Sequence, residues 1–195
     1  MNRRRMMMLQ NASKENWDFN WNYKQGLLSN YLTTTFSGEA TETMTEKGLF
    51  LEVNAAELSS TNYVRYEFTP SNSNKAVIEM LININKFAKQ DGFRILLSQG
   101  NKGCQLYIQE GYIGYEAGLN SVGTPVFISK IPLALNTDYL IRIEYSITFG
   151  NRITVNNALL YEGSIFSSAY CTHNRLYQQK DGSTYIKEVR FKHIA

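Results

Sequence analysis

From Gly48 onward, apolar and polar residues alternate with a period of two, in short runs broken by turn residues. That period marks strands with one face against a core. Strands are predicted at 48–53 and 61–68, the second with Val64, Tyr66 and Phe68 on one face and Arg65 and Glu67 on the other. A longer one at 75–84 turns Ile78, Met80, Ile82 and Ile84 inward, and 138–147 does the same with Tyr139, Ile141, Ile143 and Tyr145. Shorter runs at 93–98, 104–109, 112–115, 125–131, 152–155 and 159–162 follow the same rule, and 184–194 closes the chain. Glu110-Gly111 reads as a tight two-residue hairpin. Breaks every 8–12 residues or so, without helical periodicity, predict an all-β fold: an antiparallel β-sandwich. The segment 164–180, holding Cys171, His173 and Arg175, is predicted to be a long surface loop.

The N-terminal end reads differently. Residues 1–16 contain no Gly or Pro and are rich in helix-forming types. Arg3, Arg4 and Arg5 sit beside Met6, Met7, Met8 and Leu9, so the segment is predicted to be a short helix or an extended arm that docks on a partner, with 17–195 as the sandwich. Trp17, Phe19, Trp21 and Tyr23 alternate with Asp18, Asn20 and Asn22. They form either a first strand covering the core edge or a stripe that stacks on a sugar or a partner.

Composition narrows the classes. Of 195 residues, 43% are hydrophobic, enough for a large core, and only 19% are charged. The net charge of +3 comes from 20 basic and 17 acidic residues, too balanced to argue for nucleic acid. No apolar run approaches the ~20 residues of a membrane span, and Met6 to Leu9 is too short for a signal core. The chain is therefore expected to be made in the cytoplasm, with Cys104 and Cys171 as reduced, buried thiols or, alternatively, as a disulfide.

Three stretches carry a resemblance. Ala76-Val-Ile-Glu-Met-Leu-Ile-Asn-Ile84, the run 137–146 with 152–162, and 183–191 with Ile186, Val189 and Phe191 resemble the core strands of concanavalin A-like lectin and laminin-G-like jelly rolls. The resemblance covers roughly 48–195 and implies a lectin-like jelly roll, a fold that serves lectins, glycosidases, adhesion modules and viral parts alike. The arm followed by the Trp-Asp-aromatic segment resembles small virion proteins of gut bacteriophages. That implies a virion location, homo-oligomerisation and docking on other virion proteins.

Catalytic patterns are missing. Glycosidases of this fold pair two carboxylates on one strand face, yet neither Glu79 nor Glu144 has an acid two residues away. His173 and His193 lack metal-ligand spacing, and Cys171-Thr-His173 lacks further ligands. No phosphate-binding glycine loop occurs. No metal, cofactor, nucleic acid or membrane is expected. One cluster suits a sugar: Tyr107, Tyr112 and Tyr115 around the hairpin, with Gln105 and Gln109, rings to stack and amides to bond hydroxyls. The same tyrosines could instead be sheet packing. The sequence thus points to a non-catalytic structural or adhesion subunit of a phage particle that binds a host surface glycan, with a free-standing carbohydrate-binding module or a glycosidase-like enzyme as alternatives.

Overall fold

The computed structural model describes residues 16–54, 62–69, 73–88, 92–99, 102–119, 125–163 and 173–194. The arm residues Arg3 to Leu9, the helix-or-arm assignment and Cys171 lie outside them, as do the side chains of Cys104 and His173.

Among the described residues, fifteen strands build two antiparallel sheets, as the period-two pattern predicts. They are β1 (Phe19–Asn22), β2 (Thr33–Ser37), β3 (Ala40–Thr45), β4 (Gly48–Val53), β5 (Tyr63–Phe68), β6 (Lys75–Lys86), β7 (Phe93–Gln99) and β8 (Lys102–Gln109). After the hairpin come β9 (Tyr112–Leu119), β10 (Pro125–Pro132), β11 (Asp138–Ser146), β12 (Gly150–Val155), β13 (Ala158–Gly163), β14 (His173–Gln179) and β15 (Gly182–Ile194). The eight-stranded sheet runs β13-β12-β11-β6-β15-β4-β3, with β1 also on β15. The seven-stranded sheet runs β10-β9-β8-β7-β14-β5-β2. The molecule is a β-sandwich.

The alternation places the core where the sequence puts it. Ile78, Met80, Ile82 and Ile84 from β6 and Val64, Tyr66 and Phe68 from β5 belong to one core cluster between the sheets, all almost fully buried. Each such side chain contributes roughly 1.5–3 kcal/mol by leaving water. The core-edge reading of the N-terminal aromatics holds for β1: Trp21 is 1% exposed and Phe19 packs edge-on against Phe68 at 5.5 Å. The chain bends at Asp18 and breaks the alternation. Trp17 therefore lies over outward side chains instead, with Lys192 Nζ 5.1 Å and the Arg142 guanidinium 5.9 Å from its ring.

One expectation is corrected. His173–Gln179, placed within a surface loop by its sequence, is β14, paired with β7 on one side and β5 on the other. Its inward positions Asn174 and Gln178 are polar, so no apolar alternation signals the strand. Partners from the opposite sheet reach them: Thr184 Oγ1 donates to Gln178 Oε1 at 2.7 Å, and Asn174 Nδ2 lies 3.3 Å from His193 Nε2. A third bridge between the sheets runs from Asn151 Nδ2 to the Tyr115 hydroxyl at 2.7 Å. Strands β2 and β3 come from a Thr-rich stretch where the inward Glu42 disguises the pattern. Glu42 accepts the Ser29 N–H at 3.1 Å and lies near Tyr66, whose phenol is held well above its ordinary pKa by burial first and by Glu42 second.

The sheet edges are irregular. In β10, Ile128 is the extra, exposed residue of a bulge, beside exposed Lys130 and terminal Pro132. In β13 the register slips against Ile153 and Thr154. The central strand β15 is also bulged: Ile186 pairs with Ile82 and Glu188 with Leu81, so Lys187 is left over. Such a residue bends the strand and re-aims its side chain. Gly48 sits against this bulge with φ +141°, and an added Cβ would lie 2.9 Å from the Ile186 carbonyl oxygen.

Two predictions follow from this packing. Gly48→Ala should lower stability by about 1–3 kcal/mol, through the φ and the backbone clash together. Urea unfolding with an unchanged midpoint would show that β4 and the bulge can move apart freely.

The second concerns His193, whose pKa is lowered by burial, only partly offset by Asp18. The neutral ring accepts from Asn174 at Nε2, which puts its proton on Nδ1, 3.9 Å from the Asp18 carboxylate. The unfolded chain thus binds this proton more readily than the folded one. Stability should fall as pH drops below about 6.5 and level off beneath the lowered folded value. In His193→Gln that part of the pH dependence should vanish, as read from urea midpoints against pH; identical curves would refute it.

Candidate functional site

The residues singled out around the hairpin are divided by the structure. Glu110 and Gly111 turn with positive φ, 47° and 85°, so β8 and β9 pair in register from Gln109↔Tyr112 to Leu106↔Tyr115. Gln105, Tyr107, Gln109 and Tyr112 face outward on the seven-stranded sheet. Tyr115, three residues beyond Tyr112, faces inward: it is fully buried, bonded to Asn151, and its ring lies 4.3 Å from that of Tyr161. Tyr115 is thus a core residue bridging the sheets and offers no surface to a sugar. Tyr107 and Gln109 are 3% and 2% exposed despite facing outward. The Arg94 guanidinium lies 5.0 Å from the Tyr107 ring centre, and the Phe127 ring, seated over Gly114, meets Tyr107 and Tyr112 edge-on. Tyr112 carries Lys130 Nζ at 4.6 Å from its ring. Tyr107 and Tyr112 are thus packed against cations and Phe127, and Tyr107 offers almost no surface to a sugar.

The acids examined for catalysis are engaged elsewhere. Glu79 is held by Arg142 at 3.2 Å and Arg190 at 3.1 Å, and Glu144 by Arg142 Nε at 2.9 Å. Both carboxylates thus share one guanidinium on the outer face of the eight-stranded sheet. Among the described residues no three His, Cys, Asp or Glu side chains are grouped to hold a metal.

On that same outer face the β15 bulge opens a cleft of about 330 Å³. Its lining comes from five places in the chain: Tyr23, Glu46 and Lys47, Asn83, Asn136, and Tyr185 with Lys187. Tyr23 is placed by a short 3-10 turn after β1, fixed by a reciprocal cap: Asn22 Oδ1 accepts the Lys24 N–H at 3.1 Å, and Gln25 Oε1 accepts the Asn22 N–H at 2.7 Å. Glu46 and Lys47 form the β3–β4 turn. Tyr185 stands two residues before the bulge, its ring 4.8 Å from Phe50 on β4.

The floor is a polar chain across three strands. Asp138 Oδ1 accepts from Asn83 Nδ2 at 2.9 Å and from Lys187 Nζ at 2.5 Å. This contact takes up the Lys187 charge and fixes the amide plane of Asn83. Lys47 Nζ stands 5.8 Å from the Tyr185 ring centre. The hydroxyls of Tyr23 and Tyr185 and the carboxylate of Glu46 make no hydrogen bond or ion pair with any described residue. The cleft therefore presents aromatic surface edged by hydroxyl, carboxylate, ammonium and amide groups, able to donate to and accept from a hydroxyl-rich ligand.

The sequence reading missed this site. Tyr23 was set among the N-terminal aromatics, but the other lining residues stood in no motif. One signal was legible. Ile186 and Val189, both core residues, are three apart in a strand of period two, which requires a bulge between them. A second, smaller hollow of about 240 Å³, lined by Arg142, Glu144, Arg152, Thr154 and Asn157, lies on the same face.

No family model matches the chain, and no curated protein does. Solved structures do. The cellulose-induced protein Cip1 superposes with a TM-score of 0.66 at 9% identity, over 90% of this chain and 97% of that one. The binding domain of botulinum neurotoxin serotype G gives 0.57 at 13% identity, over 92% of this chain and 49% of that one. The serotype D ligand binding domain, solved in complex with N-acetylneuraminic acid, gives 0.57 at 11%, over 92% and 48%. This chain spans about half the length of the toxin domains it matches and nearly all of Cip1. At these identities the likeness is one of fold: the chain shares its β-sandwich with Cip1 and with toxin domains described as binding domains.

Proposed function

We propose that the chain is a non-catalytic, glycan-binding β-sandwich of the lectin-like jelly-roll kind, serving as a structural or adhesion subunit of a bacteriophage particle. The observation that carries the glycan reading is the Tyr185 cleft, where phenol hydroxyls and a carboxylate without partners among the described residues surround aromatic surface. Aromatic surface with a few well-placed polar groups is the usual make-up of a ligand site. Two neighbours support it by analogy: the serotype D domain was solved with N-acetylneuraminic acid, and cell entry of the type C toxin is described as dependent on two ganglioside molecules. Those ligands belong to domains twice this length. The non-catalytic reading is supported by the ion pairs that occupy Glu79 and Glu144.

On a glycan array the protein should bind without releasing reducing ends. Tyr185→Ala should weaken the best hit by about tenfold or more, since each tenfold is ~1.4 kcal/mol and the variant removes both ring and hydroxyl. Binding untouched by Tyr185→Ala would move the site elsewhere. Turnover lost in Glu79→Gln would make the chain an enzyme.

The virion reading rests on the basic and apolar segment Arg3 to Leu9, suited to docking on a neighbouring subunit. Replacing Met6, Met7, Met8 and Leu9 by Ser should reduce the mass of the assembly in size-exclusion chromatography with light scattering, or its incorporation into particles. If neither changes, the arm holds nothing together.

A further inference from the structure

The outer face of the seven-stranded sheet carries an arrangement that the cleft does not use. Strand pairing sets Tyr107, Arg94, Tyr177 and Arg65 in one row across β8, β7, β14 and β5, an aromatic alternating with a cation. In the adjacent row Arg175 pairs with Glu67. The sequence shows no such interleaving, because these neighbours lie on different strands.

The charges on this face do not balance. Arg65 and Arg175 share the single carboxylate of Glu67, at 2.9 and 3.0 Å. Arg94 has no carboxylate among the described residues. Its guanidinium is held by the ring faces of Tyr107 and Tyr177, at 5.0 and 5.7 Å, and by a hydrogen bond to Gln105 Oε1, while its Nε is buried without a hydrogen-bond acceptor. With Lys130 beyond Tyr112, four cations face two acids among the described side chains, Glu67 and Glu110, the latter accepting from the Tyr112 hydroxyl at 3.3 Å. Two guanidinium groups on one carboxylate, with a third one strand away that has no carboxylate among the described residues, repel one another and lose hydration, so stability gives little reason for them. A planar fork held rigidly by aromatic rings is, however, suited to a carboxylate in two-point contact.

We propose that this face binds an acidic polysaccharide, with uronate carboxylates on Arg94 and on the Arg65–Arg175 pair. From β8 to β5 the row spans three strand spacings, roughly 14 Å at ~4.8 Å each, which suits a chain of sugars rather than a lone anion. Single-stranded nucleic acid fits less well. It needs open ring faces for its bases, whereas the faces of Tyr107 and Tyr177 are already taken by Arg94. What remains on offer is guanidinium N–H groups and the O–H of Tyr177, which suit carboxylates and hydroxyls. This site is separate from the Tyr185 cleft and stands or falls without it.

The test is calorimetric titration of the full chain with alginate and polygalacturonate oligosaccharides, with the same oligomers after carboxyl reduction, and with oligodeoxythymidine. At least one uronate series should bind, weaken steeply with added salt, and lose its binding on carboxyl reduction. Arg94→Gln and Arg175→Gln should each weaken that binding by about tenfold, with β-sheet circular dichroism retained, and Tyr185→Ala should leave it unchanged. No binding to either uronate, equal binding of the reduced oligomers, or tighter binding of the oligonucleotide would overturn the proposal. The comparison of native and reduced oligomers needs no variant, so it decides the matter even if an arginine substitution fails to fold.

Discussion

The pairing of β15 with β6 is the constraint on which the rest of the molecule depends. It joins the two longest strands and sits at the centre of the larger sheet, with β11 beyond β6 and β4 and β1 beyond β15. Its inner side chains, Ile78, Met80, Ile82, Ile186, Val189 and Phe191, form the middle of the core. A strand cannot take an extra residue without bending, and this pair takes one at Lys187. That irregularity turns Lys187 toward Asp138, demands a glycine at position 48, and leaves Tyr185 at the wall of the cleft. The site is thus a by-product of how the central pair is kept in register.

Holding two sheets about 10 Å apart over such a core is mainly apolar work, but three polar contacts fix their relative position. They link Thr184 to Gln178, Asn151 to Tyr115, and His193 to Asn174. A buried polar group costs stability unless it is paired, so each contact admits few alternative alignments of the sheets. The same contacts account for the polar inner face of β14.

Much of the fold was legible in the sequence because its strands obey the period of two. The inward faces of β5, β6 and β11 follow from the spacing of Val64, Tyr66 and Phe68, of the isoleucines of β6, and of Tyr139 to Tyr145. Illegibility began where inward residues are polar, at Asn174 and Gln178 on β14 and at Glu42 on β3. The sites were harder still. Tyr112 and Tyr115 read as one cluster by proximity, although three residues' separation along a strand sends them to opposite faces. The Tyr185 cleft is assembled from segments far apart in the chain, and the arginine row exists only across strands. Neither leaves a local pattern for a motif to capture.

The irregular edges bear on how this chain can live among copies of itself. A regular edge strand offers a ladder of free N–H and C=O groups to any second edge. Here β10 interrupts its ladder with the extra Ile128 and the adjacent Lys130, β13 slips its register, and β3 aims Glu42 inward. Backbone zippering between molecules is thereby discouraged along these three edges even when they are crowded together. Contacts made along those three edges are left to side chains, and can be rewired by substituting them without disturbing the sheets beneath; β2, paired with β5 in unbroken register, is the regular edge that remains.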